Sequence, residues 1–228
     1  MVVIYTDRSP GIVIGCYDLG AVVGSLTCIG YSERIGRLRT ILVGLVFSIV
    51  ALAIESSAYS LAQFVISRLL VGCPIGVISA SVPVWQSECS SAAHRGAFVV
   101  MEGLCISGGI TISEWVAFGL FFATPKSASW RVTLVFPIVF ALFAIPFVVF
   151  AMPESPRWLA KVGREEEARQ TLAALENMDE NSELVDIEMA AMQLSLSELR
   201  GSIKDLCHNG KERMLNRTLL AMTGQMFQ

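Results

Sequence analysis

Five runs of mostly apolar residues, at about 11–32, 40–60, 64–87, 97–123 and 130–152, dominate the first two thirds of the chain. A helix needs about 20 such residues to cross the hydrocarbon core of a bilayer. Only helices and closed barrels satisfy their backbone polar groups there. Runs of this length without strand alternation therefore dictate an all-α, multi-span membrane protein. Composition agrees, because 54% of the residues are apolar and 16% charged, against about a quarter charged in soluble domains.

Charge is unevenly placed. Residues 153–228 hold 22 of the 37 charged residues, which marks a change of solvent near Pro153. From there the pattern is that of soluble amphipathic helices: Ala168, Leu172 and Leu175 form one stripe, and a second helix is expected over about 183–200. Gly201 and Asn209-Gly210 break the pattern. Leu215 to Phe227 is apolar again, but its 13 residues cover only about 20 Å of helix, so the sequence stops inside what reads as a further span. The expected organisation is a transmembrane bundle over 1–152, a cytoplasmic helical linker over 153–213, and the start of the next span over 214–228.

Loop arginines and lysines orient the bundle. Arg34, Arg37 and Arg39 separate spans one and two, Arg95 separates three and four, and Arg157, Lys161, Arg164 and Arg169 follow span five. The opposite side has Arg8, Lys126 and Arg131. The basic loops are thus expected in the cytoplasm and the N-terminus outside. Val2–Tyr5 is too short for a signal peptide's apolar region. No block of like charge suits nucleic acid. Cys16, Cys28, Cys73, Cys89 and Cys105 lie in or beside apolar runs without a C-x-x-C pair, so packing is expected, with no metal site and no cofactor. His94 and His208 lack the surroundings of a catalytic group; no enzyme is indicated. The sequon at Asn216 falls on the expected cytoplasmic side.

Three motifs are specific. The loop after span one reads Gly30-Tyr31-Ser32-Glu33-Arg34-Ile35-Gly36-Arg37-Leu38-Arg39. Span three carries Arg68, Gly72, Pro74 and Gly76, then Pro83, Trp85, Glu88 and His94-Arg95-Gly96. After span five comes Pro153-Glu154-Ser155-Pro156-Arg157-Trp158-Leu159. Together they closely resemble the sugar porter family of the major facilitator superfamily, particularly its fungal members, over about residues 11–228.

The resemblance implies a transporter of twelve helices in two halves, of which this chain supplies helices two to six, the linker and the start of helix seven. It implies that Glu33, Arg34, Arg37, Glu88, Arg95, Glu154 and Arg157 form an ion-pair network that latches the cytoplasmic helix ends and stabilises the outward-facing state. Leu38 departs from the family, where a second consecutive basic residue is usual. In proton-coupled members, the arginine matching Arg68 works with an aspartate on helix one.

An ionisable residue inside a span is a functional-site hypothesis, and Asp18, Arg68, Glu102 and Glu114 stand out. Asp18, Arg68 and Glu114 lie about 10, 6 and 13 Å below the outer ends of their spans. This shared depth suggests that Asp18 or Glu114 compensates Arg68 within the chain. The competing reading has Arg68 snorkelling outward. Glu114 and Trp115 are candidate substrate-lining residues, as are Gln225 and Gln228, which match a glutamine-rich family motif on helix seven. Trp85 and Trp115 also suit packing. Gly103 and Ile110 stand where the family's helix-five glutamines contact sugar, which admits a quinate-like acid permease as an alternative. The leading expectation is proton-coupled transport of a sugar or polyol at the plasma membrane, by a chain whose partners are the bilayer, the solute, protons and the missing C-terminal half. The other is a truncated, non-transporting membrane fragment.

Overall fold

The structure, a computed structural model, describes residues 9–91, 94–123, 126–179 and 182–198, with Asn216, Leu219 and Leu220. Its five long helices are α1 (Ser9–Ile35), α2 (Arg37–Ser56), α3 (Leu61–Cys89), α4 (Arg95–Ala123) and α5 (Lys126–Phe150). All five are long and apolar enough to cross a membrane. The shorter α6 (Pro156–Lys161), α7 (Glu165–Glu176) and α8 (Glu183–Glu198) follow. The chain is a multi-span, all-α membrane protein.

The connection between α1 and α2 is tighter than the charged run 33–39 suggests. A single residue, Gly36, reverses the chain at φ 108°, a conformation that costs glycine little and other residues more. Its N–H bonds Ser32 O at 3.2 Å, and its own carbonyl accepts from Thr40 N at 3.2 Å. The arginines consequently sit on helix ends rather than in a loop. At the other end of α2, Ser60 caps α3 by accepting from Gln63 N at 3.2 Å. Pro74 and Pro83 lie within α3 without ending it.

Packing centres on α3, which lies against α1 and α2, while α5 covers α2. Ala51, Leu52 and Val71 form the buried cluster, with Tyr17, Leu70, Ile75 and Ile138 around it. The α1–α3 contact is made by small residues. A Cβ on Gly20 would run into the Leu69 carbonyl, one on Gly24 into that of Cys73, and one on Gly76 into that of Ala21. Four apposed glycines, Gly20, Gly24, Gly72 and Gly76, thus allow backbone-to-backbone approach. Gly11 and Gly15, which share the spacing, face open space. By contrast, α4 packs on α5 and barely on α3, and none of its apolar window is buried.

Two compact units divide at Asp179. The first contains α6 and α7 as well as the five long helices, so the compact unit extends beyond the polarity change at Pro153. Within it, α7 buries Ala168, Leu172 and Ala173, whereas Leu175, expected on the same stripe, is exposed. Glu165, Glu166 and Glu167 occupy the first turn of α7, where carboxylates complement the helix dipole. Asn177 ends it in the left-handed conformation, at φ 53°. The second unit contains α8, with Val185 and Met189 buried one turn apart.

Candidate functional site

At the arginine-rich end of the bundle, one polar network joins α1, α2, α3 and the segment leading into α6. Arg37, the first residue of α2, presents a fork to Glu88 on the last turn of α3, with Nε–Oε2 at 3.1 Å and Nη2–Oε1 at 3.3 Å. Its Nη1 also donates to Ser32 O on α1 at 3.0 Å. This two-pronged, largely shielded contact is the strong form of the arginine–carboxylate pair. Glu88 Oε2 in turn accepts from Ser155 Oγ at 2.7 Å.

Glu154 contributes differently. Its Oε1 accepts backbone N–H groups from Arg37, Leu38 and Ser155, each at 3.1 Å. Two of these donors belong to the first turn of α2, whose N–H groups have no partner within the helix. The carboxylate therefore caps α2 from a distant part of the sequence. Ser155 caps α6 by accepting Trp158 N at 3.2 Å, and Pro156 opens that helix, where the missing N–H costs nothing. Trp158 is buried, and its indole N–H donates to Glu33 O at 2.9 Å. Trp85 Nε1 donates to Pro153 O at 3.1 Å, so this tryptophan serves as a tether. An exposed pair, Lys161 Nζ to Glu33 Oε2 at 2.9 Å, completes the rim.

Of the expected network residues, Glu33, Arg37, Glu88 and Glu154 are thus brought together. Arg34 is exposed on the last turn of α1, and Arg157 is half-buried in α6. The side chain of Arg95 lies outside the described residues. Ser155 and Trp158 enter as members that charge alone does not reveal; the hydroxyl at a helix start and the buried indole donor were the available signals.

The second constellation lies at the opposite end of α2. Arg68 Nε sits 2.8 Å from Oε1 of Glu55, which is fully buried, while the Arg68 side chain is 28% exposed. The guanidinium also lies over the Phe64 ring, 5.0 Å from its centroid. The pairing of Arg68 with Asp18 or Glu114 suggested by depth is not formed. Depth ignores helix phase: Tyr17 faces α3, and the next residue, Asp18, is turned about 100° away and exposed. Glu114 is exposed on α4, a helix with little contact to α3. Its neighbour Trp115 is exposed and meets Phe118 edge to face at 6.0 Å. Glu102 is half-buried. Gln225 and Gln228 fall outside the described residues, as does most of 214–228.

Comparison with known proteins gives this arrangement a context. The family model "Sugar (and other) transporter" matches residues 5–228. The sugar transporter STL1 of Saccharomyces cerevisiae is 39% identical over 97% of this chain and 41% of its own length. The major facilitator superfamily transporter mfsA of Aspergillus fumigatus is 34% identical over 98% of the chain and 42% of its own. Among solved structures, a partially occluded inward-open conformation of the xylose transporter XylE from E. coli superposes with a TM-score of 0.76 at 21% identity. That match covers 85% of this chain and 50% of XylE. The chain spans about two fifths of the length of such relatives. The match over almost every residue and the joined motif residues lead to one assignment: this chain belongs to the sugar porter family of the major facilitator superfamily.

Proposed function

We propose that the intact protein containing this sequence is a secondary transporter that moves a sugar or polyol together with protons by alternating access, at the plasma membrane. In this reading α1–α5 are helices two to six of twelve, and the basic end of the bundle faces the cytoplasm. The observation that carries it is the Arg37–Glu88–Ser155–Glu154 network, which ties three spanning helices and α6 into one body. Alternating access requires such a body, because one half of the protein must rock against the other without shearing. Arg34, Arg95 and Arg157 extend the same latch, and Glu114, Trp115, Gln225 and Gln228 are assigned to the solute path. The names of the relatives, sugar and polyol transporters among them, supply the substrate class.

The intact protein in proteoliposomes is expected to exchange labelled hexoses or polyols stereospecifically and saturably. Absence of exchange with every sugar and polyol tried, alongside uptake of a quinate-like acid, would move the protein to the acid-permease reading. Residues 1–228 alone are expected not to transport, because α4 has no buried residue in its apolar window and thus lacks the packing of a finished bundle.

A further inference from the structure

The buried partner of Arg68 is a carboxylate to which no role has been attached. Glu55 is the penultimate residue of α2 and is fully buried. Among the described residues, neither carboxylate oxygen accepts a hydrogen bond, and its one close charge is Arg68 Nε. A structural carboxylate of this depth normally fills its acceptor positions, since burying unsatisfied oxygens costs free energy. Here one cation 2.8 Å away balances a fully buried carboxylate, which makes the group's charge sensitive to a single event.

We propose that Glu55 is a proton-binding site of the transport cycle, with Arg68 as the counter-ion its protonation sets free; this rests on the transport reading above. The two partners are unequal. An arginine does not give up its proton under ordinary conditions, so only the carboxyl can change charge. A proton from the outer solution adds to a Glu55 oxygen, the ion pair becomes a neutral acid beside a free guanidinium, and loss of that proton restores the pair. The neutral acid is the form best suited to a sealed position. The freed guanidinium is not stranded, because its side chain is 28% exposed and rests on the Phe64 ring.

The surroundings leave few other candidates for the same proton. From α1, Tyr17 is within electrostatic reach of Glu55 and Arg68, and Asp18 stands beside it. From α3 the facing charge is Arg68 itself. From α5, Arg131 reaches only the turn beyond, where Nη2 donates to Ala58 O at 3.3 Å. A recess of about 360 Å³, lined by Ser56, Ser57, Arg131, Val132 and Val135, opens at this end of α2, one residue from Glu55.

Infrared difference spectroscopy of the reconstituted 228-residue chain, between acidic and alkaline buffer, tests the assignment without transport. Among the chain's 20 carboxyl side chains, one component of the protonated-carboxyl band should be lost in Glu55→Gln, shift in Glu55→Asp, and persist in Asp18→Asn. A band unchanged in Glu55→Gln, or loss of that same component in Asp18→Asn, overturns the proposal. In the intact protein, Glu55→Gln should abolish the pH dependence of uptake while solute exchange continues. An unchanged pH profile in that variant overturns it as well. If the intact wild type exchanges no solute, the transport reading fails, and the infrared titration still decides Glu55.

Discussion

Arg37 and Glu88 illustrate how little a charge means until its geometry is known. The side chains of both are 11% exposed, so water screens their contact far less than it screens Lys161–Glu33 at the rim. A double-mutant cycle of Arg37→Ala and Glu88→Ala, read by unfolding in lipid-detergent micelles, should show a coupling of about 1–3 kcal/mol. The corresponding cycle for Lys161 and Glu33 should give less than about 1 kcal/mol. Additive effects at Arg37 and Glu88 would mean that the pair does not act as a unit. The sequence made Arg37, Glu88 and Glu154 legible as members of one network because family motifs carry them. Glu55 was not legible: an acid next to the last residue of α2 reads as one that reaches water, and only three-dimensional phase shows it turned inward. The same blindness to phase pointed Arg68 toward Asp18 and Glu114.

At the scale of elements, apolar length alone located the five long helices to within a few residues. It could not reveal the one-residue turn at Gly36, because a charged run reads as a loop until φ is known. Nor could small-residue spacing separate the glycines that pack from those that do not. Gly24→Ala forces a Cβ into the Cys73 backbone of α3 and should destabilise the bundle by about 1–3 kcal/mol. Gly15→Ala, with nothing near it, should instead gain about 0.5–1 kcal/mol from helix propensity. Titration with a denaturing detergent, followed by circular dichroism, compares the two. Equal effects would show that α1 and α3 do not approach through their glycines.

For the whole molecule, the orientation argued from loop arginines is open to a direct check. In a variant with the native cysteines replaced, a membrane-impermeant thiol reagent should label Tyr59→Cys on intact cells. It should label Arg39→Cys only after permeabilisation; the reverse pattern would invert the bundle. The polarity change at Pro153 was readable in the sequence, but it does not coincide with the compact unit's limit at Asp179, because α6 and α7 pack on each other and α6 on α3. Solvent preference and compactness are separate properties, and composition reports only the first. The three backbone bonds to Glu154 have a further consequence for the history of the sequence. A carboxylate that grips main-chain N–H groups is indifferent to the side chains those residues carry. Position 38 could therefore exchange the basic residue usual in its family for leucine while the joint stayed closed. Substitutions can accumulate around such a contact without loosening it, so chains that differ widely in the wording of this junction can still share its architecture.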